Sequence, residues 1–247
     1  MSDSTGATDA IGSSSIEIVI ESKVLNLSGE RRDTIDITVN SHNLSIAAFD
    51  FTFAYDSRAV EIVEAIPGEF LRQCDWEYFQ VRHDPICEGP CPEGLLKIVA
   101  LSEFRRWGRE NVCYQPDSGS SIVRIIVQSA GDYSELEKTF DLRFFWIDCG
   151  DNSVSSLTGE ELWVSLSVTD LDTVFISETD SHDFPNYSGA TSGCWNPSKP
   201  NAPRRVVNYH NGRFKVTREL IESATLDSAS ADTDDTDDTG DSTGANE

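Results

Sequence analysis

Apolar and polar side chains alternate with a period of two through much of this chain. Ile16, Ile18 and Ile20 alternate with Glu17, Val19 and Glu21, and Ile35, Ile37 and Val39 with Asp36, Thr38 and Asn40. Phe49, Phe51, Phe53 and Tyr55 alternate with Asp50, Thr52 and Ala54. Successive side chains of a strand point to opposite faces, so this pattern predicts strands with one buried and one wet face. Further strands are expected over 59–65, 76–81, 95–101, 122–128, 138–146, 161–168, 206–209 and 213–217. Turn residues separate them at Ser28-Gly29, Asp56-Ser57, Pro67-Gly68, Pro116 to Gly119 and Asn211-Gly212. Asn211-Gly212 between two short strands predicts a two-residue hairpin. No long segment keeps a helical period, and no internal repeat is visible. Many short strands with few helices predict an all-β fold, an antiparallel β-sandwich or jelly roll, over residues 16–224.

The two ends read differently. Residues 1–15 are rich in Ser, Gly and Thr, and residues 225–247 carry eight acids and no base. Such segments bury too little apolar surface to offset chain entropy, so both are expected to be disordered, the second as an acidic linker or tail. The Asp run in that tail lacks the fixed ligand offsets of a calcium loop.

The whole chain has 43 acids against 19 bases, a net charge of -24. That excludes sequence-independent nucleic-acid binding, which needs Lys and Arg on phosphates, and docking on an anionic membrane. It also leaves a salt-adapted source open. Residues 184–218 reverse the trend, with Lys199, Arg204, Arg205, Arg213, Lys215 and Arg218 and no acid. Arg105, Arg106 and Arg109 form a second basic cluster. Pairing with the acid-rich remainder is the favoured use of these cations, and an anion-binding hairpin face is the rival.

Six cysteines fit a disulfide framework in an oxidising compartment, and 15 pairings are open in principle. Gly89 and Pro90 let Cys87 close on Cys91. Cys149 and Cys194 border turn-rich segments and form a second expected pair, which leaves Cys74 with Cys113. A zinc site is the rival, but only one close-spaced pair is present. Met1 is followed by polar residues without an apolar leader, and no stretch approaches the roughly 20 apolar residues of a membrane span. The expectation is therefore a segment of a longer, multidomain exported protein, extracellular or at the cell surface.

Candidate chemistry is sparse. Asp148, Asp151 and Asn152 surround Gly150 and offer oxygen ligands for Ca²⁺, with Asp170 and Asp172 as further candidates, against the commoner use of such residues as turn caps. Trp76, Tyr78, Trp107, Trp163 and Trp195 offer flat faces for sugar stacking, against core packing. Trp107, beside Arg106, and Trp195, in a Gly/Pro/Asn-rich loop, are the expected exposed pair. The candidate ligand-binding residues are Trp107, Trp195, Arg204, Arg205, Arg213 and Lys215. No nucleophile elbow, P-loop or His-Glu-x-x-His motif occurs, so no catalytic residue is assigned.

Residues 16–72 carry a resemblance. Gly29, the Ile35-Ile37-Val39 strand, the apolar run from Phe49 to Tyr55-Asp56, Val60 to Val63 and the turn at Gly68 are similar to the N-terminal half of cohesin-like domains. That resemblance implies a nine-stranded jelly-roll sandwich akin to bacterial carbohydrate-binding modules. Cohesins hold dockerin modules in extracellular cellulose-degrading assemblies, and related domains occur in surface proteins without a cellulase link. It therefore implies a non-enzymatic adhesion or assembly module binding a protein or glycan, with a dockerin-like domain a candidate to follow the acidic linker. A polysaccharide-acting enzyme and a structural spacer are the alternatives. The six cysteines, the Trp76 to Phe79 segment, the Phe144 to Asn152 run and the Cys194-Trp195 loop depart from the family, and no partner-contacting residue is carried over.

Overall fold

The computed structural model describes residues 15–27, 31–87, 91–103, 113–130, 139–170, 173–176 and 203–217. The fold is nearly all β. One sheet is built from β5 (Val60–Pro67), β8 (Ser120–Ser129), β3 (Arg32–Asn40), β1 (Ile16–Ile20), β13 (Arg204–His210) and β11 (Leu162–Asp170), with β12 (Thr173–Ile176) beside β11. The other runs β6 (Tyr78–His83), β7 (Gly94–Leu101), β4 (Ile46–Tyr55), β9 (Thr139–Phe144), β14 (Gly212–Thr217) and β2 (Lys23–Asn26). β10 (Ser153–Ser156) pairs with β4 on one side and β11 on the other, joining the two sheets. A five-residue helix α1 (Glu69–Gln73) follows β5. Among the described residues, no helix is long and apolar enough to cross a membrane.

Period-two alternation fills the core. Phe49, Phe51 and Phe53 from β4 face Ile16, Ile18 and Ile20 from β1 and Ile35, Ile37 and Val39 from β3 in one cluster. Phe51, Phe144 and Tyr209 meet at its centre, with Phe144 and Tyr209 ring centroids 4.5 Å apart. Truncating such a ring to Ala costs about 3–5 kcal/mol. The Tyr209 hydroxyl, fully buried, donates to the Asn152 carbonyl at 2.6 Å.

The tryptophans divide along the same line. Trp146 and Trp163 are buried. Trp76 packs on Phe49 and Phe70 and donates its indole N–H to the Cys113 carbonyl. These three are packing residues, so Trp76 and Trp163 take the core-packing alternative to sugar stacking. Trp107 and Trp195 lie outside the described residues.

The expected hairpin at Asn211-Gly212 is a corner instead. β13 pairs in parallel with β1 and β11 of the first sheet, whereas β14 pairs in parallel with β2 and antiparallel with β9 of the second. The chain switches sheets at Asn211, beside the place where the β1–β2 segment switches at Glu21 and Ser22. A type I′ hairpin needs positive φ at both central residues, and neither Asn211 nor Gly212 is among the described residues with positive φ. Gly212 is needed for close approach. A Cβ there would lie 2.4 Å from Ile20 Cγ2. The sandwich is thus antiparallel except where β13 meets β1 and β11 and where β14 meets β2.

Two expected disulfides form, Cys74–Cys113 and Cys87–Cys91, with Cα separations of 4.9 and 6.1 Å. Cys149 is disulfide-bonded as well, and Cys194 lies outside the described residues.

Candidate functional site

The two outer faces of the sandwich are built from different chemistry. On the first sheet, Asp36 accepts two hydrogen bonds from Arg124 at 3.0 and 3.2 Å and one from Ser121 at 2.8 Å. Glu17 meets His210 Nε2 at 2.5 Å and accepts from Asn208 at 2.7 Å. Gln128 donates to Glu61 at 2.7 Å. Burial pushes the Glu17 carboxyl up, but the hydrogen bonds from Asn208 and His210 outweigh it and hold the group below its usual value. This face is closed by cross-strand polar pairs.

On the second sheet, the register sets out rows of outward side chains. Tyr78, Leu101, Ala48 and Ser155 lie side by side, and so do Gln80, Val99, Asp50 and Ser153. Their strand neighbours Phe79, Val81, Phe49, Phe51, Ile98, Ala100 and Val154 pack in or against the core, which forces these residues outward. Tyr78, Leu101, Ala48 and Val99 are each half-buried. Leu101, Ala48 and Val99 are the apolar members of these rows and Tyr78 the aromatic one, while Gln80, Ser153, Ser155 and the single carboxylate, Asp50, are polar.

Beyond Asp50 the sheet is covered. The 145–152 segment leaves β9, crosses over β4 and returns as β10. Phe145 donates its N–H to the Thr52 carbonyl at 2.8 Å, and Asn152 takes the Thr52 N–H on its Oδ1 at 3.0 Å. Phe145 packs with Ala54 and Leu95, against Cys87 and Ile147. Asp151, within this segment, is buried. Its Oδ2 accepts the N–H groups of Ile147 and Asp148 at 2.8 and 2.9 Å. Its Oδ1 accepts the Thr52 hydroxyl at 3.0 Å and meets Lys97 Nζ at 2.5 Å.

Lys97 also lies 3.1 Å from Asp50 Oδ2. The other Asp50 oxygen is sequestered without a hydrogen-bond partner. Burial pushes the Asp50 carboxyl up to about 6, with Asp151 and Asp148 adding to the rise and Lys97 opposing it. Burial pulls the Lys97 amine down, but Asp151 and Asp50 outweigh it and hold it as the ammonium.

The residues proposed as metal ligands are therefore placed as follows. Asp151 and Asn152 come together around Thr52, with their side-chain oxygens on N–H, O–H and ammonium donors. Asp148 Oδ1 accepts the Gly150 N–H at 2.7 Å, which is a turn cap. Among the described residues no three His, Cys, Asp or Glu side chains gather as a metal cluster. The basic residues are divided between sheets. Arg204 pairs with Glu161 at 2.8 Å and Arg205 donates to the Ser165 carbonyl at 3.2 Å, both from β13. Arg213 pairs with Asp141 at 2.8 Å from β14, where Lys215 is exposed. Arg204 and Arg213 thus take the favoured use, pairing with acids, and the rival, a single basic hairpin face, is not formed, because the corner at Asn211 sends the two halves to opposite sheets.

Asp50 and Lys97 were not among the sequence candidates. Each is a lone charge in an apolar strand, Phe49-Asp50-Phe51 and Leu96-Lys97-Ile98, which is a usable signal. Their adjacency depends on the β4–β7 register.

No protein-family model matches the chain, and no curated protein matches it. Solved cohesin modules do. The chain is similar in fold to cohesins. The seventh ScaB type I cohesin of Pseudobacteroides cellulosolvens matches 83% of this chain and 93% of its own, with 14% identity and a TM-score of 0.46. A type III cohesin from the cell-surface anchoring scaffoldin ScaE of Ruminococcus flavefaciens matches over 88% and 96%, at 10% identity and 0.46. A non-cellulosomal cohesin of the archaeon Archaeoglobus fulgidus matches over 82% and 91%, at 8% and 0.41.

Proposed function

We propose that this chain is a non-enzymatic, cohesin-like module that holds a protein partner on the outer face of β6, β7, β4 and β10. The supporting observation is the contrast between the two faces. Half-buried Tyr78, Leu101, Ala48 and Val99 form an apolar patch edged by Gln80, Ser153, Ser155 and Asp50, while the opposite face is closed by polar pairs. Interface cores are depleted in charge and enriched in aromatic residues, which this patch matches. The resemblance of residues 16–72 to cohesin-like domains makes a dockerin module the first partner to try. The disulfides Cys74–Cys113 and Cys87–Cys91 support an extracellular or cell-surface setting.

The test is calorimetric titration of the full chain with a panel of dockerin modules, beside a glycan array and a reducing-sugar assay. Binding to a dockerin that is lost in Leu101→Asp supports the reading. Glycan binding or sugar release without dockerin binding overturns it.

A further inference from the structure

Asp151 has its two oxygens in different surroundings, and the difference has a chemical meaning. Oδ2 sits between two backbone N–H groups, at 2.8 and 2.9 Å. Oδ1 faces the Lys97 amine at 2.5 Å, with the Thr52 hydroxyl on it at 3.0 Å. The Asp151 side chain is 1% exposed. A second carboxyl, Asp50, touches the same amine from the other side at 3.1 Å. We propose that Lys97 and Asp151 are joined by a self-formed isopeptide bond, with Asp50 carrying the protons.

The step balances without any co-reactant. It starts from the Lys97 ammonium and the Asp151 carboxylate. Asp50 takes one proton from Nζ, which frees the nitrogen lone pair, and passes it to Asp151 Oδ1. Nζ attacks Cγ of Asp151 and the C–N bond forms. Negative charge gathers on Oδ2, held by the Ile147 and Asp148 N–H groups as in an oxyanion hole. Asp50 takes a second proton from the nitrogen and delivers it to Oδ1. The Cγ–Oδ1 bond breaks and one water leaves. One cation and one anion become a neutral amide, and nothing is oxidised or reduced.

Four features favour the reaction here. The fold holds nitrogen and carboxyl group in contact, which removes the entropy cost of bringing them together. Asp50, pushed up to about 6, both binds and releases a proton near neutrality. The product keeps Oδ2 as the amide carbonyl with the same two N–H donors, so only the oxygen facing the amine is replaced. Burial of the Asp151 carboxyl, 1% exposed, keeps water from reversing the step.

Intact-mass measurement of the full chain, reduced and denatured, tests this. With all six cysteines reduced, the chain is expected to weigh one water less than its sequence, and a protease digest to contain Lys97 and Asp151 peptides joined. The bond bridges 54 residues, so the denatured chain also migrates faster on a denaturing gel. Lys97→Arg is expected to restore the full mass, and Asp50→Asn to leave unlinked chain at full mass. A wild-type chain at the mass of its sequence overturns the proposal, and so does a water loss that persists in Lys97→Arg.

Discussion

The two outer faces of this sandwich share one strand period and differ in what fills the outward positions. On the face of β5, β8, β3, β1 and β13, charged side chains find cross-strand partners, and the Glu17–His210 and Asp36–Arg124 pairs finish the surface. On the face of β6, β7, β4 and β10, the outward rows hold Tyr78, Leu101, Ala48 and Val99 beside Gln80, Ser153 and Ser155, and the two charges, Asp50 and Lys97, are half-buried and tied to Asp151 of the 145–152 segment. A polar surface satisfied by its own partners has little to offer another protein. An apolar patch beside a buried ion cluster gains when a partner excludes water from it.

The largest expected effect lies in the buried cluster. Asp151→Ala takes the acceptor from the Thr52 hydroxyl and two backbone N–H groups in a buried site and leaves Lys97 with Asp50 alone, and is expected to cost about 3–5 kcal/mol. A chemical-denaturation midpoint measures it, and a loss below about 1 kcal/mol would mean that the cluster is no more important than the surface pairs opposite.

Next comes the corner that ties the two sheets together. Gly212→Ala drives a methyl group into Ile20 and should cost about 1–3 kcal/mol, read from the same midpoint. A neutral result would show that the β1 and β13 corners are loosely packed.

The pH response separates the faces more finely. Glu17 is held below its usual 4.5, so it adds stability that is complete above that value and is lost as pH falls through its folded value. Asp50 is raised from 3.8 to about 6, so the folded state binds the extra proton, and stability from this group falls as pH climbs through that window. The two carboxylates therefore act in opposite senses. Urea midpoints measured from pH 3 to 8 are expected to drop on the acid side, and Glu17→Gln should make that limb shallower. An unchanged acid limb in Glu17→Gln would remove Glu17 from the closed face's stability.

The smallest effect is expected from calcium. The oxygens of Asp151 and Asn152 already face protein donors, so adding a chelator should leave the thermal midpoint unchanged. A fall of several degrees would show that the metal displaces those donors.

The strands that make the core were legible in the sequence because Phe49, Phe51 and Phe53, or Ile35, Ile37 and Val39, present one buried face each. β2, β10 and β12 were not. β2 puts Val24 outward, 58% exposed, and β10 reads Ser-Val-Ser-Ser, so neither shows a usable alternation. Asn211-Gly212 misled because glycine serves two purposes. It permits positive φ in a hairpin and it permits close approach in a corner, and the dipeptide does not distinguish them. The Asp50, Lys97 and Asp151 cluster needed the register of β4 on β7 and the crossing of a segment from a distant part of the chain. Neither is encoded in local spacing. The disulfides were more tractable, since a short Gly-Pro loop selected Cys87–Cys91 and reduced the remaining choices.

The division between a closed and an open face is tested most directly by comparing two substitutions in one titration. Dockerin affinity is measured for the full chain, for Leu101→Asp on the apolar patch and for Arg124→Ala on the polar face. Leu101→Asp is expected to weaken binding by about 100-fold, and Arg124→Ala to leave it within about two-fold. Equal affinity for Leu101→Asp and the unaltered chain, or a loss confined to Arg124→Ala, would contradict the assignment of the partner to this face.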